Sequence, residues 1–170
     1  FTVVYQDFIR HALTVRENCE LANPCGTISE EQIMTLLDKF ELSDVVNEYS
    51  NGLDTSLGKV KKDSVDFSGG QWQKLAIIRA LLGEKKVQIL DEPTAALDPK
   101  MEGEVYELFQ EMTDDRMTIL ISHRLGFAKK VDHIIVFSNG TVLEQGDFVN
   151  LMNKQGLFYQ MYQEQRSWYE

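Results

Sequence analysis

At 170 residues, 43% hydrophobic and 26% charged, the chain is long enough to bury one sizeable core and to carry a small subdomain beside it. Seventeen basic residues against 27 acidic ones leave a net charge of −10, which argues against a binder of phosphate backbones, so nucleic acid is not an expected partner. No apolar run approaches the roughly 20 residues needed to span a bilayer and no signal-peptide pattern is present; Cys19 and Cys25 lack the CxxC pairing and nearby histidines of a zinc site and read as reduced thiols.

In chain order, Phe1, Val3 and Val4 read as the end of a strand, followed by Gln6 and Asp7 in a turn. From Leu13 to Tyr49 the signals are helical. Thr14 to Glu17 and Ser29 to Gln32 have capping-box spacing, and Ile33, Leu36, Leu37 and Phe40 follow at i, i+3, i+4 and i+7. Pro24 and Gly26 punctuate this helical stretch, and Asn51-Gly52 marks the turn that leaves it. Gly58-Lys59 does not complete a phosphate-cradling loop: GxxxxGK[ST] needs a glycine where Leu53 stands and a hydroxyl residue where Val60 stands.

The stretch from Phe67 to Asp98 carries the densest set of signals. Ser68, Gly69, Gly70 and Gln71 form a Ser-x-x-Gln capping box whose two glycines leave a helix N-terminus bare, which suits a phosphate. The helix continues through Trp72, Leu75, Ala76, Arg79, Ala80 and Leu82 and stops at Gly83. An apolar strand from Val87 to Leu90 then delivers Asp91 and Glu92 to its carboxyl end, where open α/β sheets bind their ligands.

Pro99 is suited to a first helical position behind Asp98 as cap, and Met101, Val105, Leu108, Phe109 and Met112 make one apolar face that reads as core. Met117 to Ser122 is a β-rich run. His133 to Ser138 is another, joined through Asn139-Gly140 to Thr141–Gln145 as a hairpin with a type I′ turn signal. Asp147 caps a short helix, and Gly156 introduces a last one with Leu157, Phe158, Met161 and Tyr162. His11 and His133 have no motif around them and read as surface or satisfied histidines.

FSGGQ resembles the signature pentapeptide of the ATP-binding-cassette (ABC) ATPases, usually written LSGGQ, and VQILDE resembles their Walker B strand with its adjoining glutamate. Ala96, Leu97 and Asp98 resemble the D-loop, Ile121 to Arg124 the switch-histidine segment, and Gln6-Asp7 the Q-loop. The stretch from Gly52 to Gly58 and the tail from Glu144 to Gln165 resemble the corresponding parts of exporter-type members, and the resemblance covers essentially the whole chain. Phe67 in place of the usual leucine and Gln88 inside the Walker B strand are departures that remove no catalytic atom.

The resemblance implies an α/β fold of the P-loop NTPase type, a parallel sheet with an inserted α-helical subdomain. It is truncated here, because no Walker A loop stands in these residues. The implied division is residues 1–11 as Q-loop strand and loop, 12–66 as helical subdomain, 67–146 as the signature helix, Walker B, D-loop, switch histidine and hairpin, and 147–170 as C-terminal helices. It also implies ATP and Mg²⁺ as cofactors, with Asp91 and Gln6 serving the metal, Gln6 also helping to hold the attacking water as a catalytic residue, Glu92 orienting and deprotonating that water, and His123 contacting the γ-phosphate and tying it to Glu92. Ser68, Gly69, Gly70, Gln71 and Asp98 would act across a head-to-tail dimer with a second ABC ATPase domain. The remaining implied partner is a transmembrane domain that holds the ATPase at the cytoplasmic face of the cell membrane.

The leading expectation is therefore the ATP-hydrolysing part of an ABC exporter. A soluble, non-transport ABC ATPase is an alternative, although such proteins usually carry coiled-coil or basic insertions that are absent between Gln6 and Phe67. A catalytically inactive interaction fragment is another, against which Glu92 and His123 count. Two further expectations follow. The 170 residues alone should not turn over ATP. The strand leading to His123 and the strand around Ile134 to Phe137, apolar enough to be buried on both faces, should pair directly or have the gap between them filled by a second molecule.

Overall fold

The computed structural model describes residues 1–59, 64–83, 85–95, 97, 99–112 and 116–166, without the side chains of Pro99, Lys100 and Met112. Ala96 and Asp98 of the D-loop therefore lie outside the described residues, as does the contribution of Met112 to its helix face.

The chain opens with β1 (Thr2–Val4) and enters a run of short helices, α1 (Val15–Glu20), α2 (Glu30–Lys39) and α3 (Ser43–Asn47). Both expected capping boxes form: the Thr14 and Ser29 hydroxyls accept the N–H of Glu17 and Gln32, whose side chains accept the N–H of Thr14 and Ser29 in return. The apolar stripe of α2 then buries Ile33, Leu36 and Leu37. Gly52, at φ 50°, begins a short 3₁₀ turn to Asp54, where glycine tolerates the left-handed backbone without a Cβ penalty. Arg16 ties this turn to α2 through Asp54 at 2.9 Å and Glu30 at 2.8 Å.

Next come α4 (Gly69–Leu82), β2 (Val87–Asp91), α5 (Pro99–Met112), β3 (Met117–Ile121), β4 (Ile134–Ser138), β5 (Thr141–Gly146), α6 (Phe148–Lys154) and α7 (Leu157–Gln165). Strands β1, β2 and β3 form one parallel sheet in that order. Parallel pairing with Val4 opposite Leu90 and Asp91 opposite Ile121 brings all three carboxyl ends to one edge. Strands β4 and β5 form a separate antiparallel hairpin whose Asn139 (φ 50°) and Gly140 (φ 76°) supply the two positive φ angles of the expected type I′ turn.

Helix α4 is nearly all buried, from Trp72 to Leu81, because it packs against β1 on one side and α1 and α2 on the other. Its carbonyl at Ala80 accepts from the side-chain amide of Gln88, which satisfies half of the amide placed inside β2. Two apolar clusters result. The larger joins α1 to α5, β1 and β2; the smaller gathers Leu125, Ala128, Val136, Leu151, Phe158 and Tyr162 around the C-terminal helices. The start of α7 depends on a remote carboxylate: Glu144 accepts the N–H groups of Leu157 and Phe158, both at 3.0 Å, in the place that a Cβ on Gly156 would fill.

Direct pairing, one of the two outcomes expected for the gap between the strands, is not found, and burial on both faces is corrected. Strands β3 and β4 do not pair: β3 ends the parallel sheet, while β4 is taken up by β5 and held on α6 and α7. Nor are the two strands buried on both faces. Met117 is 65% exposed and Ile121 50%, because α4 covers only the face of the parallel sheet that carries Val4, Gln88 and Leu90, while Phe137, 67% exposed, belongs to the separate β4–β5 hairpin, which buries Val136 in the C-terminal cluster. The apolar run of β3 reports what the strand can bury, and among the described residues one side of it has no second layer.

Candidate functional site

Site residues converge where the parallel strands end. Gln6 stands two residues beyond β1 in an exposed turn, Asp91 closes β2, and His123 follows β3 by two residues. The Glu92 N–H donates to the Ile121 carbonyl at 2.9 Å, extending the ladder by one bond after the strand has ended. Its φ of 45° then turns the chain sharply, and Ala95 N–H closes on the Glu92 carbonyl at 3.2 Å. A left-handed backbone at a non-glycine residue is uncommon and persists only where its surroundings enforce it.

That turn aims the Glu92 carboxylate at His123, whose Nδ1 lies 2.8 Å from Oε1. A carboxylate only accepts, so Nδ1 carries the proton and donates, leaving Nε2 on the outward side of the ring. The imidazole side chain is 64% exposed and the carboxylate 23%, so the pair opens on solvent from a partly enclosed base. Among the described residues, no donor reaches Oε2 of Glu92.

The surroundings enforce this geometry from two directions. Gln73, a polar residue on the buried face of α4, directs Nε2 toward the Glu92 carbonyl at 3.5 Å. Arg124, next to His123, donates to the carbonyls of Leu97 at 3.1 Å and of Thr94 and Ala95 at 3.4 Å, and pairs with Glu102 at 2.9 Å. Glu102 is almost wholly buried, so its charge is compensated chiefly by Arg124. Tyr106 supports the same turn, its hydroxyl 3.1 Å from that of Thr94 and its ring 4.3 Å from Phe127. Burial raises the pKa of this hydroxyl well above its ordinary value, so it stays neutral.

The N-terminus of α4 is built as expected. Ser68 Oγ accepts the Gln71 N–H at 3.3 Å, and Gln71 Oε1 accepts the Ser68 N–H at 2.8 Å. Phe67 and Trp72 lie beneath it in an edge-on contact at 5.8 Å, with the indole N–H on Asp66 at 2.9 Å. Ser68 and Gly69 are exposed, and open space surrounds the position a Cβ of Gly69 would take. Among the described residues, no hydrogen bond joins Ser68–Gln71 to Asp91, Glu92 or His123. The structure thus unites Glu92 with His123 and sets Gln6 and Asp91 on their edge, while the signature turn stands apart; Asp98 lies outside the described residues.

The donor set suits Mg²⁺ shared with a phosphate substrate better than a closed protein cage. The described residues form no cluster of three or more His, Cys, Asp or Glu able to hold a metal. Asp91, partly buried, makes no side-chain hydrogen bond or ion pair among the described residues. A single uncommitted carboxylate is what Mg²⁺ takes from a protein when phosphates and water fill its other positions.

The sequence names Asp91, Glu92 and His123 as candidates; it does not single out Gln73 or the anchoring contacts of Arg124, which the structure places beside them. Gln73 left a signal, an amide on a helix face otherwise lined by Trp72, Leu75 and Ala76. The partnership of Arg124 with Glu102, 22 residues earlier, left none. His11 and His133 stay outside the site; burial and then the charge of Arg79 lower the pKa of His11 and keep it neutral.

The family model described as ABC transporter matches residues 1–95, more than half of the chain. The nisin transport ATP-binding protein NisT of Lactococcus lactis subsp. lactis is 35% identical over 161 residues, covering 95% of this chain and 27% of the relative. An ATP-dependent lipid A-core flippase of Alcanivorax borkumensis is 43% identical over 117 residues, covering 69% of this chain and 20% of the flippase. In three dimensions, a bacterial Atm1-family ABC exporter solved with ATP bound superposes with a TM-score of 0.81 at 27% identity, covering 96% of this chain and 28% of the exporter chain. The chain thus spans about a quarter of the length of the relatives it matches. With the parallel sheet, the capped signature turn and the Glu92–His123 pair, these matches establish that the chain belongs to the ABC transporter family.

Proposed function

We propose that these residues form the hydrolytic part of an ABC exporter's ATP-binding domain. The observation that carries this reading is the 2.8 Å contact between Glu92 and His123 at the carboxyl edge of the parallel sheet. In phosphoryl transfer the protein mainly positions groups and stabilises charge, so a small constellation held tightly is sufficient. Glu92 Oε2 accepts a proton from the attacking water. The water oxygen bonds the γ-phosphorus, the bond from that phosphorus to the β-bridging oxygen breaks, and ADP leaves. His123 fixes the direction of the carboxylate through Nδ1–H, and its contact with the γ-phosphate through Nε2 needs a second proton there, because phosphate oxygens only accept. Asp91 and Gln6 would hold Mg²⁺, which neutralises phosphate charge when bound.

Ser68, Gly69, Gly70 and Gln71 would serve a nucleotide held by a second ABC ATPase domain in a head-to-tail dimer, with Asp98 crossing the same interface. The exposure of Ser68 and Gly69 and the self-satisfied cap favour this, since backbone N–H groups at the bare helix start remain for an outside phosphate. Residues 12–66 would form the helical subdomain facing a transmembrane domain at the cytoplasmic side of the membrane. The phosphate-cradling loop must come from outside these 170 residues, so the 170 residues alone are expected to be inactive.

The test is steady-state hydrolysis by the full-length protein carrying Glu92→Gln. The expected result is a fall in kcat of at least about a hundredfold, the usual size of a lost general base, with ATP affinity retained. Hydrolysis at the parental rate would show that the base lies elsewhere.

A further inference from the structure

The structure assigns Gln165, the last residue of α7, as a positioning residue for His123. Both ends of its side-chain amide are engaged by one loop: Oε1 accepts the Leu125 N–H at 3.0 Å and Nε2 donates to the His123 carbonyl at 2.8 Å. The bonds span 40 and 42 residues of sequence, so they close the C-terminal helix onto the end of β3.

This loop needs such a brace. Residues 122–125 have no regular structure, so their backbone groups lack ladder partners and must find others. Ser122 Oγ takes the Arg124 N–H at 2.9 Å, and the Arg124 side chain reaches toward residues 94–97 on one flank. Gln165 holds the other flank and is the partner that touches His123's own carbonyl. Among the described residues the exposed imidazole hydrogen-bonds only to Glu92, so its direction depends on the backbone beneath it.

The amide itself is firmly seated. One turn before it, Tyr162 is buried against Phe148 at 5.0 Å and Phe158 at 6.1 Å, in the same cluster that contains Leu125. Helix α7 and the switch loop therefore share a core as well as two hydrogen bonds, and a displacement of α7 would be passed to the imidazole. Misplacing a catalytic group by about 1 Å can cost on the order of a hundredfold in rate.

The inference rests on the reading of Glu92 and His123 as the hydrolytic pair, and its test separates the two. In the full-length protein, Gln165→Leu keeps the side-chain bulk and removes both bonds, whereas Gln165→Glu keeps the acceptor for Leu125 and loses the donor to His123. Gln165→Leu is expected to lower kcat about tenfold with KM for ATP within about twofold, as for a group acting on the transition state alone. Gln165→Glu should fall between it and the parent. Amide exchange at residues 123–125 should quicken in Gln165→Leu while 158–162 stays protected. Unchanged kcat and exchange in Gln165→Leu would overturn the inference, as would a loss of kcat that comes with lost protection along α7, which would mark Gln165 as merely structural. Glu92→Gln measured alongside reports on the hydrolytic reading by itself: parental hydrolysis there would fail that reading, while exchange at 123–125 would still decide the brace.

Discussion

The helical region and the strands β3 to β5 bury their apolar residues to very different extents. Ile33, Leu37, Phe40 and Val46 have no exposed surface, whereas Met117, Ile135, Phe137 and Leu143 are each at least half exposed. Both regions are comparably apolar in sequence, so composition does not account for the contrast. Short amphipathic helices with their own caps close on one another and on α4 within a few dozen residues. A parallel sheet needs a layer on each face, and here α4 provides one. The helical region is thus complete by local contacts, while the open face is available to residues from outside this stretch.

Substitutions should follow that contrast. Phe40→Ala removes a fully enclosed ring and is expected to cost about 3–5 kcal/mol in chemical denaturation. Phe137→Ala on the exposed side of the β4–β5 hairpin should change the stability in the same assay by no more than about 0.5 kcal/mol. A comparable loss from both would break the comparison. Slightly smaller than the Phe40→Ala loss should be that of Arg124→Met, which leaves the buried Glu102 carboxylate without its cation; breaking such a pair costs about 3 kcal/mol, and less where relaxation admits water. Ser29→Ala removes one hydroxyl cap from α2 and should cost about 1 kcal/mol in the same assay.

A chemical probe sharpens the contrast without perturbing the fold. Cys19 is buried in the helical core, and burial pushes its thiol pKa up to about 12, so it stays protonated and unreactive at neutral pH. Exposed Cys25 should be alkylated at neutral pH while Cys19 reacts only on unfolding, with mass spectrometry counting one adduct per folded chain. Two adducts under native conditions would show that the helical core opens readily.

The sequence was most legible where structure is made by neighbours. Caps at Thr14, Ser29, Ser68 and Asp147, the stop at Gly83 and the Asn139-Gly140 turn all depend on residues within four positions of one another. The parallel sheet was implied by family resemblance and the structure has it, whereas the order β1-β2-β3 that gathers Gln6, Asp91 and His123 at one edge left no local signal. What could not be read joins distant residues through single polar contacts: Arg124 with Glu102, Gln165 with the His123 loop, Glu144 with the start of α7. These contacts impose no periodicity. The left-handed backbone of Glu92 was equally hidden, because the sequence Asp-Glu-Pro is compatible with an ordinary turn. The apolar run of β3 misled in the opposite direction, since it indicates capacity for burial and not the presence of a covering layer.

The central claim, that Glu92 provides the base while the signature turn serves a nucleotide in the partner site, is tested most directly by occlusion. Full-length Glu92→Gln protein is incubated with labelled ATP and Mg²⁺, freed of unbound nucleotide by gel filtration, and the retained label is identified. The account predicts retained, unhydrolysed ATP in Glu92→Gln, and its loss when Ser68→Arg is added to block the signature turn. Retention of ADP in place of ATP would contradict the claim, because the bond would have been cleaved without the Glu92 carboxylate.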